Sequence, residues 1–412
     1  VSIPPFIQKT FMKNLFTKFL TLSAVFCLSL NYGIAQNPSN TTKIKQQENK
    51  DYTEFERKRI HDNIGFTQPV EAFSLLVPKG WSVDGGIMWN QPGTVCAGNN
   101  LGIKAVSPDT KYSFELLPNF MWSYSSDPQM AQIQQQQQYP QYCAFGQPLN
   151  AEAFFKQVFA PYELGNPKII SINENATGTQ ALQETAAKTR QELMKYGAGQ
   201  VNFYPSGITA VIDRDKGQEA IVMVGVVIIE TLIPNPYNGT SSKSYTSSAS
   251  ERVVFTYPSG EKEKASKILA VMMGSFRTNT NWKKAVDDFW LGVRTQSNIV
   301  HIGKIKLMDE QTRQIGNQAI QKGQQNAAAM DASMRSWEAS QQSQDRIHTN
   351  FVKAIREVEN YRDESGTFEM SSAYNHAWSR GDGTTFLMTD SPNFDPAAVF
   401  LDNNWKQMKR VD

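Results

Sequence analysis

From residue 70 to about residue 260 the chain is dominated by short apolar runs with a two-residue period. Phe73, Leu75 and Val77 alternate with Ser74 and Leu76, and Pro78-Lys79-Gly80 closes the run. That is the pattern of a strand with one fully buried face. Further strands are predicted at 87–90, 101–107 and 112–117, and Ser107-Pro108-Asp109-Thr110 has turn chemistry between the last two. The β-branched run 222–233 reads as a strand, being too short to span a membrane. Val211 and Ala220 flank the turn Asp213-Arg214-Asp215-Lys216-Gly217 of a hairpin. A calcium loop would need glycine at its sixth position and glutamate at its twelfth, and Gly217 stands at the fifth. Residues 235–250 read as a polar hairpin tip, with 253–257 as the return strand. Tyr204-Pro205-Ser206-Gly207 and Tyr257-Pro258-Ser259-Gly260 both read as turns.

Helical spacing appears in fewer places. Residues 151–159 follow Asn150, a good N-cap, and put Phe154, Phe155, Val158 and Phe159 on one face. Helices are also predicted over 179–196, 264–276 and 281–294, and a short charged one over 52–61. The glutamine run 134–138 belongs to a surface helix or loop.

The longest polar stretch, 304–361, is proline-free and reads as one long helix. Met330, Met334 and Trp337 begin a seam that continues through His348, Phe351, Ile355 and Val358. Its polar middle, at Gln341 and Gln344, falls short of a strict heptad. The seam therefore suits a dimerising coiled coil, a helix lying on its own domain, or a helical hairpin broken near Gly316 or Gly323. After Arg362 the composition changes. Glycine and proline punctuate short runs read as small strands at 367–370, 375–379, 384–389 and 405–409, with Asp382-Gly383 at a tight turn.

These patterns give an α+β fold. An antiparallel sheet with packed helices is followed by a long helical segment and a small β-rich tail. The expected divisions are a signal peptide with an upstream extension (1–35), a linker and short helix (36–69), an α/β domain (70–278), a helical segment (279–361) and an aromatic-rich tail (362–412). The signal peptide rests on Met12, Lys13, Lys18, the apolar run 19–30 and the small residues of Gly33-Ile34-Ala35. It implies export to a periplasmic or extracellular compartment.

Cleavage there removes three lysines and no acid, changing the net charge from +2 to −1. A near-neutral chain gives no electrostatic case for nucleic acid. No second candidate for a transmembrane span stands out. Cys96 and Cys143 remain, and in an oxidising compartment they read as a disulfide.

Two stretches carry a resemblance. Phe73-Ser74-Leu75-Leu76-Val77-Pro78-Lys79-Gly80-Trp81 and the run from Ile268 to Gly274-Ser275-Phe276-Arg277 resemble the bookends of PsbP/Mog1-like α/β domains. More broadly, the chain is similar to uncharacterised exported bacterial proteins, whose tail resembles Tyr374-Asn375-His376-Ala377-Trp378. The resemblance implies a sheet packed by helices and a binding or assembly role without catalysis.

No local motif supplies chemistry. His61, His301, His348 and His376 form no H-E-x-x-H pair, no glycine loop has phosphate-binding spacing, and no G-x-S-x-G elbow is present. No catalytic, cofactor or metal residue is assigned. Tyr374, His376 and Trp378 alternate and would share one face of a strand, as a contact strip or as the core of a small sheet. Arg380-Gly381-Asp382 matches an adhesion tripeptide but is also what a hairpin tip requires. The sequence therefore favours an exported, non-catalytic binding or assembly protein of the bacterial envelope, with a protein or glycan partner. The alternative is an extracytoplasmic hydrolase whose site is assembled only by the fold.

Overall fold

The computed structural model describes residues 52–90, 96–195, 200–234, 241–296, 343–353, 355, 358–372 and 374–411. The expected signal peptide and residues 36–51 of the linker lie outside these residues, as does the seam at Met330, Met334 and Trp337. The described chain is mostly β, with 48% strand against 25% helix. This corrects the α+β expectation with its long helical segment. The seam residues His348 and Phe351 lie on an 11-residue helix, Ser343–Lys353, and the chain then enters the strand Val358–Asp363. Three-and-four spacing does not distinguish one helix from a short helix running into a strand. Val358 and Tyr361 gain sheet partners in Ser371 and Phe368, which a helix would deny them.

Six antiparallel strands make the first sheet, in the order Arg277–Thr278, Val70–Pro78, Tyr52–Asp62, Thr385–Thr389, His376–Ser379 and Lys406–Gln407. Tyr52–Asp62 is thus a strand, not the expected charged helix. It pairs with Thr385–Thr389 over Tyr52–Glu56 and with Val70–Pro78 over Phe55–Asp62, and Phe55 faces Pro78 on one side and Phe386 on the other. The tail's strands enter this same sheet, so the tail is not held away from the main body by a helix.

The second sheet has nine strands. Its spine is a three-stranded ribbon, Val201–Arg214, Gln218–Pro234 and Ser241–Pro258. Gln218 pairs with Arg214, so Asp213–Gly217 makes the expected hairpin turn. Tyr257-Pro258-Ser259-Gly260 turns as expected, with Gly260 at φ +90°. Tyr204-Pro205-Ser206-Gly207 does not turn and runs inside the ribbon. Pro205 is tolerated because pairing to the outer strand Ile169–Glu174 stops at Ile208, leaving no ladder partner for the missing N–H. A third sheet joins Gly366–Ser371, Val358–Asp363 and Lys409–Val411.

The ribbon is buried on both faces over half its length. One face, with Ile221, Met223, Val253 and Phe255, packs on the helix Lys262–Gly274 and the first sheet. There Phe73 meets Phe276 at 5.3 Å and Trp282 at 4.9 Å, so the two stretches that carry the PsbP/Mog1-like resemblance are neighbours. The fully buried Asp62 ties this core together. Its carboxylate accepts from the indoles of Trp89 and Trp282, both at 3.0 Å, and from the amides of Ile64 and Gly65. The other face, with Ile208, Val222, Val224 and Val226, is covered by a helical run that begins at Ala151–Phe154 and continues through a π-turn, Phe155–Phe159. Asn150 caps it, as its sequence position suggests, accepting from Ala153 N.

Cys96 and Cys143 form a disulfide with a Cα–Cα distance of 6.2 Å. It ties the hairpin of Ser82–Asn90 and Gly98–Val106 to the short strand Cys143–Phe145.

Candidate functional site

The expected contact strip is only partly assembled. His376 and Trp378 lie on the strand His376–Ser379 and share its half-exposed face, while Ala377 and Ser379 are buried on the other. Tyr374 precedes the strand and is buried. Its carbonyl accepts from Tyr361 Oη at 3.0 Å, and Lys267 Nζ sits 5.4 Å over its ring. The three-residue strip is corrected to a pair, and the indole nitrogen of Trp378 is sealed from solvent without a partner. Much of the tail's aromatic content packs against Tyr52 of the first sheet or on itself. Tyr52 meets Phe394 at 4.9 Å and Phe400 at 5.4 Å, and Phe400 meets Trp405 at 5.7 Å. Small sheets need such rings to bury enough area. Arg380-Gly381-Asp382 is held as a turn. Arg380 pairs with Asp402, and Asp382 accepts from the amides of Thr384 and Thr385.

A more organised surface lies at the end of the ribbon, beyond the helical run. Ala151 N donates to Ser206 Oγ, which fixes where the covering helix begins. Past that point the same sheet face continues with Tyr204 and Asn202, Ile228 and Glu230, and Tyr245 and Lys243. Glu230 pairs across the sheet with Asn202 on one side and Tyr245 on the other, and Tyr245 pairs with Tyr124.

Glu230 organises these groups. Its Oε1 accepts from Asn202 Nδ2 at 3.0 Å and from Tyr204 Oη at 3.4 Å. Its Oε2 accepts from Tyr245 Oη at 2.9 Å and from Lys243 Nζ at 3.1 Å. Only 6% of Glu230 is exposed, while Tyr204 is 48% exposed. Hydrogen bonds from Asn202, Lys243 and Tyr245 pull the Glu230 carboxyl down to about 2. The same bond raises Lys243, and burial followed by the Glu230 bond raises the Tyr245 hydroxyl. The carboxylate stays ionised with all four donors in place, so it is not free to shuttle a proton. Its effect is mechanical. It pins two phenol rings by their hydroxyls, and Tyr124 extends the row, 6.2 Å from Tyr245 and 5.8 Å from Phe145.

Sequence reading passed over this cluster because its members lie on four strands. The available signal was local. Glu230 ends an apolar run, and Tyr245 is the lone aromatic of the Ser/Thr-rich stretch 240–250.

Two other polar features differ in kind. His348 Nδ1 lies 2.6 Å from Glu251 Oε2, both buried, and serves to seat the helix Ser343–Lys353. An open groove of about 410 Å³ runs between Lys58–His61 and Val83–Gly85. Its cations are already engaged, Lys58 with Glu56 at 2.8 Å and Arg59 with Glu71 at 3.3 Å. Among the described residues, no group of three His, Cys, Asp or Glu side chains could hold a metal ion, and no helix is long and apolar enough to cross a membrane.

No family model matches the chain, and no curated protein or solved structure matches it either.

Proposed function

We propose that the protein is an exported, non-catalytic binding protein of the cell envelope that takes its ligand on the tyrosine row at the end of the ribbon. The observation that carries this reading is the fixation of Tyr204 and Tyr245 by one saturated carboxylate on a sheet face that no described helix covers, where Tyr204 is half-exposed. Rings held in place before contact lose little conformational freedom when a ligand stacks on them. The Cys96–Cys143 bond supports the oxidising compartment that export implies.

The test is co-sedimentation of the full chain with an isolated envelope fraction. Tyr204→Ala is expected to lose most of the sedimented protein. Glu230→Gln, which keeps every ring but loosens the anchor, is expected to lose part of it. Trp378→Ala serves as the control and should sediment like the parent. Equal sedimentation of the parent and Tyr204→Ala would remove the platform from consideration.

The same assay has a pH signature. A carboxyl whose folded pKa lies below its unfolded value contributes stability above the unfolded pKa and loses it as pH falls through the folded one. For Glu230 that loss falls near pH 2. Sedimentation should therefore stay flat between about pH 5 and pH 8, above the ordinary glutamate range. A midpoint near neutral pH would contradict the assignment.

A further inference from the structure

We propose that the ligand of this platform is a neutral, hydroxyl-rich glycan chain, a refinement that rests on the binding reading above. Three features of the site point to that chemistry. The first is shape. Tyr124, Tyr245 and Tyr204 lie on three of four adjacent strands, Phe120–Ser125, Ser241–Pro258, Gln218–Pro234 and Val201–Arg214, with Glu230 on the strand between. Four strands span about 14 Å, with strands spaced near 4.8 Å. A row of rings of that length suits several units of a chain, each laying a C–H face on a phenol ring, better than one small molecule.

The second is charge. The carboxylate is matched by Lys243, whose ammonium lies 3.1 Å from Glu230 Oε2. Among the described residues the platform therefore carries a paired charge and no single-sign field that would draw a polyanion or polycation. The third is the absence of a free ladder at its centre. The strands that carry Glu230 and Tyr245 are both paired on both sides at those residues. An extended peptide gains its affinity from backbone bonds to an open sheet edge. At Glu230 and Tyr245 the site offers instead a face of rings, with the Asn202 amide and Lys243 ammonium beside them, which can meet sugar hydroxyls.

The experiment uses periodate, which cleaves vicinal diols and so destroys most sugar rings while leaving peptide bonds intact. Envelope fraction is oxidised with periodate, reduced, washed, and compared with mock-treated fraction for Tyr204-dependent sedimentation of the full chain. Oxidation is expected to abolish that sedimentation, and high salt is expected to leave it unchanged on untreated fraction, because no net charge is screened. In affinity electrophoresis against neutral polysaccharides released from the same fraction, Tyr204→Ala should bind about tenfold more weakly than the parent, the equivalent of roughly one ring–ligand contact. Tyr204-dependent sedimentation that survives periodate and is not competed by the released neutral polysaccharides overturns the glycan inference and leaves the binding reading standing, with a protein surface as the ligand. Sedimentation that is abolished by salt overturns the neutral chemistry. Sedimentation that never depended on Tyr204 removes the binding reading itself, so the two failures are distinguishable.

Discussion

Phe351→Ala is expected to lower the stability of the fold by about 3–5 kcal/mol, the range for a fully buried phenylalanine. Phe351 is 0% exposed and fills a slot made by three glycines from three elements. A Cβ at Gly178, Gly207 or Gly225 would lie 2.8, 3.1 or 2.6 Å from its ring. The slot is closed by Asn175, whose Nδ2 donates to Phe351 O at 2.9 Å. The described helix Ser343–Lys353 buries Ile347, Phe351 and Val352 in the core, which is what seats it. Without the ring, the walls at Gly207 and Gly225 are ribbon backbone with no side chain of their own to fill the slot. Gly225→Ala should destabilise by the opposite route, forcing the ring out. Urea unfolding of the full chain reads both. A change below about 0.5 kcal/mol for Phe351→Ala, the size expected at a surface site, would mean the helix is not docked there.

Reduction of the Cys96–Cys143 bond is expected to cost about 4 kcal/mol on the chain-entropy estimate for a closed loop of this length. The two cysteines are 47 residues apart in sequence. The bond fastens the strand Cys143–Phe145, whose three residues pair with Phe120–Ser125 and bring Phe145 against Tyr124. Loss of the bond should thus lower the melting temperature and also loosen one end of the tyrosine row. Mass spectrometry of non-reduced exported protein should find the crosslinked peptide. Two free thiols would contradict the structure at its most directly observable bond.

Much of the strand content was legible because alternation survives in single sequences wherever one face is buried. The ribbon, the hairpin at Asp213–Gly217 and the helix capped by Asn150 all follow from local rules. Failures arose where distant partners decide the outcome. Tyr52–Asp62 reads as a charged helix, yet it takes strand form because Val70–Pro78 and Thr385–Thr389 flank it from opposite ends of the chain. Pro205 reads as a turn until the short reach of its outer neighbour is known. The glycine slot was equally hidden, since Gly178, Gly207 and Gly225 look like separate helix and strand breakers until Phe351 joins them. The tail's aromatics fit a contact strip or the core of a small sheet equally well by pattern, and only the fold shows that Phe394 and Phe400 pack on Tyr52 and Phe400 on Trp405. The tyrosine row was missed because each of its residues is ordinary on its own strand, and only Glu230 makes them one site.

The most direct test of that site is hydroxyl-radical footprinting of the full chain, free and bound to sedimented envelope fraction. Oxidation of Tyr124, Tyr204 and Tyr245 is expected to fall on binding, while His376 and Trp378 react as in the free protein. Protection of His376 and Trp378, with the three tyrosines unchanged, would contradict the account and return the contact surface to the tail.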